Sequence, residues 1–415
     1  MSVKWTYRLY WCHFTIGINK GDVIVRKLRR DKIYKDLEFS TEFSVEDWNA
    51  LIKLKLGKYF TDDSVFEENK EILRTEIINY IKFCTKEEYF KLFEWTFDIS
   101  KDCILLNRQK SIKILADSFE DISNTDMKWM TNVLIQPDSS DFSERDKISY
   151  YFKAIDETLE GAFKPRFKLL DKLINFKLSQ IIVDNSSFDF GKLIREFPSQ
   201  VKCDVSLFLK DPLFSIPTNQ WRNIAAHKSF TINTDNIVVA YGKGNIHTKT
   251  ISYCDFYKIV NWTQDIYRVI RLAQVLTDLN YIAEIVEILG GTENMNVRFE
   301  ASLLHIIHNM QIVGFEFVSN EKQNGIFCLN VKGKVNHDVK SSLIHASQCL
   351  DQLSCAIYDD KFVRDNFQKT KVSIVNDSGD ILASATISVE AALKRAQGKL
   401  TLNEYLSKIE FDVKN

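Results

Sequence analysis

Apolar residues recur at three-to-four spacing over most of this chain, the pattern that places them on one face of a helix. From Ser44 to Met130 the periodicity is helical. Phe43-Ser44-Val45-Glu46-Asp47 offers a capped start, Ile72, Ile77, Ile78 and Ile81 trace a stripe, and Phe90, Phe93, Trp95 and Phe97 form an aromatic cluster suited to a core or a partner surface. Before this region, residues 3–16 and 22–28 flank Asn19-Lys20-Gly21-Asp22 and predict a hairpin. Gln136-Pro137-Asp138-Ser139-Ser140-Asp141 reads as a linker. Beyond it, Ile148, Tyr151, Phe152, Ile155, Leu159 and Phe163 define a long helix from about Ser143 to Ile182, with Leu169, Leu170, Leu173 and Ile174 continuing the face. Pro165 inside it removes a backbone donor and predicts a kink or a split.

Two short alternating runs follow, Ile237 to Tyr241 and Ile246 to Ile251, and then a helix from Tyr253 to Leu289 that ends at Gly290-Gly291. The pattern then changes. Phe299 to Asn309 is helical, Ile312 to Val318 and Ile326 to Val331 alternate as strands, and Val339 to Leu353 is helical again. Val372 to Val375 and Leu382 to Ile387 flank the turn Asp377-Ser378-Gly379-Asp380, and a helix from Val389 to Gln397 follows. The expected organisation is an N-terminal hairpin plus helical domain (1–135), a helical domain (143–291) and a small α+β domain (295–415).

Composition adjusts this picture only at the edges. With 14 Gly and 5 Pro in 415 residues, long regular elements are favoured over a turn-dense β fold. The 55 basic and 56 acidic residues cancel, so any nucleic-acid contact has to come from a local patch. No run nears the roughly eighteen apolar residues of a membrane helix, and the N-terminus lacks a signal-peptide pattern, which together predict a cytoplasmic protein. The eight cysteines form no C-x-x-C pair and no zinc-ligand spacing, and read as structural thiols. His305 and His308 lie three apart on a helix, but no nearby Cys or acidic residue completes a metal set, so they read as packing or surface residues. No metal or cofactor is expected.

One stretch concentrates chemistry. Trp221-Arg222-Asn223-Ile224-Ala225-Ala226-His227 places a guanidinium, an amide and an imidazole within two helical turns. Asn223 and His227, four apart, stack on one helix face. Pro217 and Thr218 suit a helix start, which puts the group near first-turn N–H groups that attract anions. A histidine titrates near neutrality and can move a proton, and a guanidinium fits phosphoryl oxygens with a planar fork. Lys192, Arg195 and Lys228, with Lys164, Arg166 and Lys168, could line a phosphate path.

Arg-Asn-Ile-Ala-Ala-His resembles the Arg-x4-6-His motif of the HEPN superfamily, in which a polar residue usually follows the arginine. The flanking order of elements over residues 143–290 is similar too, with Ser187 to Ile194 in the place of the short second helix. The resemblance implies a mainly α fold: a HEPN-like helical bundle with an inserted β-hairpin, joined here to an N-terminal mostly helical region and a C-terminal small α+β domain. It further implies a metal-independent endoribonuclease, with Arg222, Asn223 and His227 catalytic and Lys192, Arg195 and Lys228 binding RNA. The expected role is a toxin or antiphage-defence effector acting on tRNA or mRNA. Two motif helices would meet across a homodimer or higher even oligomer, under control of an antitoxin or sensor protein. The accessory domains are the expected places for that control. The alternative is a non-catalytic HEPN scaffold that binds RNA or a nucleotide within a defence complex.

Overall fold

A computed structural model of the chain describes residues 45–134, 142–202, 204–291, 298–312, 314–333 and 338–414. The expected hairpin over 3–28 and the linker over 136–141 lie outside them, as do the side chains of His305 and His308. The protein is mainly helical, with an α+β region at its C-terminal end. It divides into two compact units, one of residues 16–291 and one that includes residues 292–415.

Among the described residues the first unit begins with four α-helices, α1 (Val45–Leu56), α2 (Asp63–Cys84), α3 (Glu87–Leu106) and α4 (Arg108–Leu134). Asp62 caps α2 by accepting from Ser64 N–H, which satisfies one of the donors left open at a helix start. Of the aromatic cluster Phe93 lies in the core, and Phe90, Trp95 and Phe97 are half-buried around it. Phe93, fully buried, meets Tyr59 edge-on at 5.3 Å between centroids and Tyr80 at 5.7 Å, the arrangement that brings positive ring edges to negative ring faces.

The long helix past the linker begins at α5 (Glu144–Asp156), capped by Ser143, and continues to α6 (Lys164–Ser179). The two are joined by a π turn over Glu157–Phe163 and not by a break. Lys164 N–H bonds to Leu159 O, five residues back. Pro165 then occupies an early position of α6, where its missing donor costs little. The widened turn therefore absorbs the proline. Ile148, Phe152, Ile155, Leu159 and Phe163 are all buried, as the periodicity predicts, and Tyr151 is half-buried.

Next come α7 (Phe190–Glu196), the single turn α8 (Ser206–Leu209) and α9 (Thr218–Ala226). A sheet follows with order β1-β2-β3, made of β1 (Phe230–Ile232), β2 (Asn236–Tyr241) and β3 (His247–Ser252), all antiparallel. The expected hairpin is thus three-stranded. Its extra strand holds three residues, too few to alternate visibly. The closing helix is also two elements, α10 (Tyr253–Asn280) and α11 (Ile282–Ile288), separated at Tyr281. Gly290 and Gly291, both at positive φ, end α11 and return hydrogen bonds to Glu287 O and Val286 O.

A charged network sits at the centre of this unit. Arg166, fully buried, donates through Nε to Asp126 Oδ1 (3.2 Å) and through Nη1 to Gln274 Oε1 (3.0 Å), and its Nη2 pairs with Asp126 Oδ2. Arg271 Nη1 donates to Glu76 Oε1 (3.0 Å), and its Nε lies 3.4 Å from Asp126 Oδ2. Tyr267 Oη donates to Asp126 Oδ1 at 2.8 Å. The residues come from α2, α4, α6 and α10, so helices on both sides of the expected boundary at 136–142 share one core. That boundary falls inside the unit. Two guanidinium groups meet two carboxylates here, Glu76 and Asp126. Asp278, also buried, is the carboxyl in excess, and burial raises it to about 7 against the pull of Arg166.

The second unit packs α12 (Phe299–Ile312), α13 (Val339–Ser347), α14 (Leu350–Asp359), α15 (Val389–Ala396) and α16 (Leu402–Leu406) with a five-stranded sheet. Its order is β4 (Glu316–Gln323), β5 (Ile326–Lys332), β6 (Lys369–Val375), β7 (Ile381–Ser388) and β8 (Glu410–Val413). Only β5 and β6 run parallel. A parallel pair needs a crossover, and α13 and α14 supply it. Ile312, expected to begin a strand, ends α12, and the strand starts at Glu316. The Asp377–Asp380 turn connects β6 to β7, with Asp380 N–H bonded to Asn376 Oδ1 at 2.8 Å.

Candidate active site on helix α9

Helix α9 is fixed in place by one buried carboxylate. Asp211, almost fully buried, accepts from the backbone N–H of Leu213, Phe214 and Ile216 and from Trp221 Nε1 at 2.9 Å. Trp221 itself has no exposed surface. Thr218 Oγ1 donates to Phe208 O at 2.7 Å, and Gln220 Oε1 accepts from Gly242 N–H at 3.0 Å. The apolar face of α9 packs against α5 and against α7, where Gly191 passes close to Asn219. The polar residues of the motif are left on the remaining surface.

Arg222 and Asn223 are half-buried neighbours, with Arg222 Nη1 donating to Asn223 Oδ1 at 3.3 Å. His227 is exposed at the C-terminal end of the helix, and its N–H still bonds to Asn223 O at 2.9 Å, which preserves the four-residue stacking. The expectation that the group lies among first-turn amides is corrected here. Helix α9 is nine residues long, Arg222 is its fifth residue and His227 caps its carbonyl end, where the helix dipole is negative.

After His227, Lys228 adopts φ +53°. Lys228 N–H bonds to Ala225 O and Ser229 N–H to Ile224 O, the paired bonds of a Schellman stop. Lys228 is exposed. Lys192 and Arg195 lie on α7, the helix beside α9. Each is drawn toward Glu196, at 3.9 and 3.7 Å, and Lys192 also lies over the Phe188 ring at 3.8 Å. Of the wider basic set, Arg166 belongs to the core network and Lys168 donates to Ser186 O. Lys164 stays near the motif.

Two carboxylates that the sequence reading passed over complete the site. Arg222 Nε lies 3.1 Å from Glu160 Oε2 and 3.5 Å from Asp156 Oδ1. Neither Nε nor Asp156 Oδ1 makes an aligned hydrogen bond, and both atoms are buried, so the attraction is one of charge. Burial raises the Asp156 carboxyl above its ordinary range, Arg222 opposes this, Glu160 adds to it, and His227 opposes it. His227, Arg222 and the two carboxylates therefore share one electrostatic neighbourhood. The one signal in the sequence is the four-residue spacing of Asp156 and Glu160 on an otherwise apolar-faced helix.

Among the described residues no group of three His, Cys, Asp or Glu is arranged to hold a metal ion, and no helix is long and apolar enough to cross a membrane. Cys103, Cys349 and Cys355 are buried, and burial pushes all three thiols up, Cys103 and Cys349 to about 12. Cys84 and Cys254 are exposed. The chain matches no family model, no curated protein and no solved structure.

Proposed function

We propose that this chain is a HEPN-type endoribonuclease that cleaves RNA without a metal ion, acting as a toxin or antiphage-defence effector. The observation that carries the reading is the exposed His227 imidazole at the end of α9, in one electrostatic neighbourhood with a positioned Arg222. In this mechanism His227 takes the proton of a ribose 2′-OH, whose oxygen attacks the adjacent phosphorus. The bond to the 5′-oxygen breaks, that oxygen takes up a proton, and the products are a 2′,3′-cyclic phosphate and a 5′-hydroxyl. Arg222 stabilises the charge of the phosphorane, because its fork matches the equatorial oxygens and it stays protonated throughout. Asn223 holds the edge of Arg222, and Lys192, Arg195 and Lys228 bind flanking phosphates. Two copies of α9 meet across a homodimer or higher even oligomer in the cytoplasm, and an antitoxin or sensor protein restrains them. The substrate is tRNA or mRNA.

The test is cleavage of cellular RNA by purified protein. His227→Ala and Arg222→Ala each abolish cleavage with thermal unfolding unchanged, and Arg222→Lys restores little, since a point charge lacks the fork. Cleavage persists in excess EDTA and leaves the cyclic phosphate. Complete inhibition by the chelator refutes this chemistry.

A second reading is favoured by the same contacts. Arg222 lies against two carboxylates of the long helix, as a residue bridging helices would. On that reading the domain is a scaffold that binds RNA or a nucleotide without cutting it, and RNA binding survives in a protein with no turnover.

A further inference from the structure

We propose that Glu160 is the positioning residue of this site, setting Arg222 and Lys164 as a pair of cations that face a single RNA phosphate. The proposal rests on the ribonuclease reading and adds to it a residue and a second cation.

Each oxygen of Glu160 meets one cation. Oε2 lies 3.1 Å from Arg222 Nε, and Oε1 accepts from Lys164 Nζ at 2.6 Å. The Glu160 and Arg222 side chains are 32% and 28% exposed and that of Lys164 is 18% exposed, so the three are shielded from bulk water and their attraction outweighs that of a surface pair. Asp156 flanks Arg222 from one turn earlier on the same helix. Nε is thereby held against the two carboxylates by charge, without an aligned hydrogen bond. Among the described residues Nη1 has one acceptor, Asn223 Oδ1, and Nη2 has none. Nη2, one arm of the fork that recognises a phosphate, is thus left without an acceptor among the described residues. Glu160 itself lies in the π turn, a distortion frequent at functional sites.

Charge alone predicts the opposite behaviour. A carboxylate near an anion site repels the anion, so removing Glu160 would strengthen phosphate binding if its role were only electrostatic. A positioning role makes removal harmful. The sign of the effect separates the two.

The experiment uses the full chain with Glu160→Ala, Glu160→Gln, Lys164→Met and Arg222→Ala. One arm measures kcat and KM on a cleavable RNA, and the other measures Kd for the same oligonucleotide with 2′-deoxy sugars, which cannot be cleaved. For Glu160→Ala, kcat falls about 10- to 100-fold, the scale of a misplaced catalytic group, and KM rises in step with the Kd of the probe. Binding of the 2′-deoxy probe weakens in Glu160→Ala, Lys164→Met and Arg222→Ala alike. Glu160→Gln recovers part of kcat, because the amide oxygen can still accept from Lys164 Nζ while the charge that holds Arg222 is lost, and it carries the test if Glu160→Ala does not fold. Tighter probe binding in either Glu160 variant, with kcat unchanged or raised, overturns the proposal. The underlying reading fails separately. If wild type cleaves no RNA, or Arg222→Ala cleaves like wild type, the assignment of ribonuclease chemistry to this site falls. If Arg222→Ala loses cleavage while both Glu160 variants behave as wild type, only the positioning role falls.

Discussion

Asp278→Asn tests the charge balance of the core. The Asp278 carboxyl titrates near 7 in the fold against an ordinary value of 3.8, because burial penalises its anion. At about 1.4 kcal/mol for each tenfold change in proton affinity, the gap of roughly three pH units is worth about 4 kcal/mol. The unfolded chain releases this proton near pH 3.8 and the folded chain near 7, so the folded state binds more protons between those values. Stability contributed by the protonated group is complete below about pH 4, falls as pH rises, and is gone above about pH 7. Asparagine cannot ionise, so the variant escapes this loss. Whatever constant cost its amide brings, the stability of Asp278→Asn relative to wild type should rise by about 2.6 kcal/mol between pH 5 and 8, most of it below pH 7, and then level off. At about 2–4 °C per kcal/mol for a unit of this size, the difference in Tm should shift by roughly 5–11 °C. Thermal unfolding of both proteins across pH 5–8 measures it. A difference independent of pH would mean that Asp278 is ionised throughout and that the two arginines are shared among three carboxylates.

Two further predictions concern the parts that hold the site. Lys228→Gly relieves a left-handed backbone position and should stabilise the protein by up to about 1 kcal/mol; if Lys228 also binds phosphate, the same variant weakens RNA binding and lowers its salt slope by about one, so urea unfolding and a salt titration should move in opposite directions. Asp211→Ala strands three backbone donors and the Trp221 indole and should cost about 3 kcal/mol or more, with any RNA cleavage lost along with the fold; a melting temperature equal to wild type would show that α9 is held in place without Asp211.

Much of the fold was legible because burial imposes a period. Ile148, Phe152, Ile155, Leu159 and Phe163 face inward as their spacing requires, and Gly290-Gly291 and the Asp377–Asp380 turn end elements where residues at positive φ are needed. Strand β1 was too short to show a period. The break at Tyr281 has no proline or glycine to announce it. The unity of the first unit was hidden for another reason: Asp126 and Arg166 are 40 residues apart and Glu76 and Arg271 are 195 apart, and no local pattern reports such a pairing. Arg166 looked like a member of a basic path because charge in a sequence carries no depth. At the site, Arg222, Asn223 and His227 stood out by type and spacing. Asp156 and Glu160 did not, since acidic residues four apart on a helix commonly face solvent, and their meaning comes only from what α9 brings to them.

The shared charges of the core bear on how this protein could be divided. A chain cut between residues 134 and 142 yields one piece that carries Glu76 and Asp126 and another that carries Arg166 and Arg271. Each piece alone would have to bury charges without the partners they have in the whole chain, a cost of several kcal/mol per ion, so neither should fold by itself. Together they are electrically complementary. Co-expressed fragments should therefore find each other and rebuild the α9 site, which makes this cut a natural place to put the protein's activity under the control of a dimerising signal.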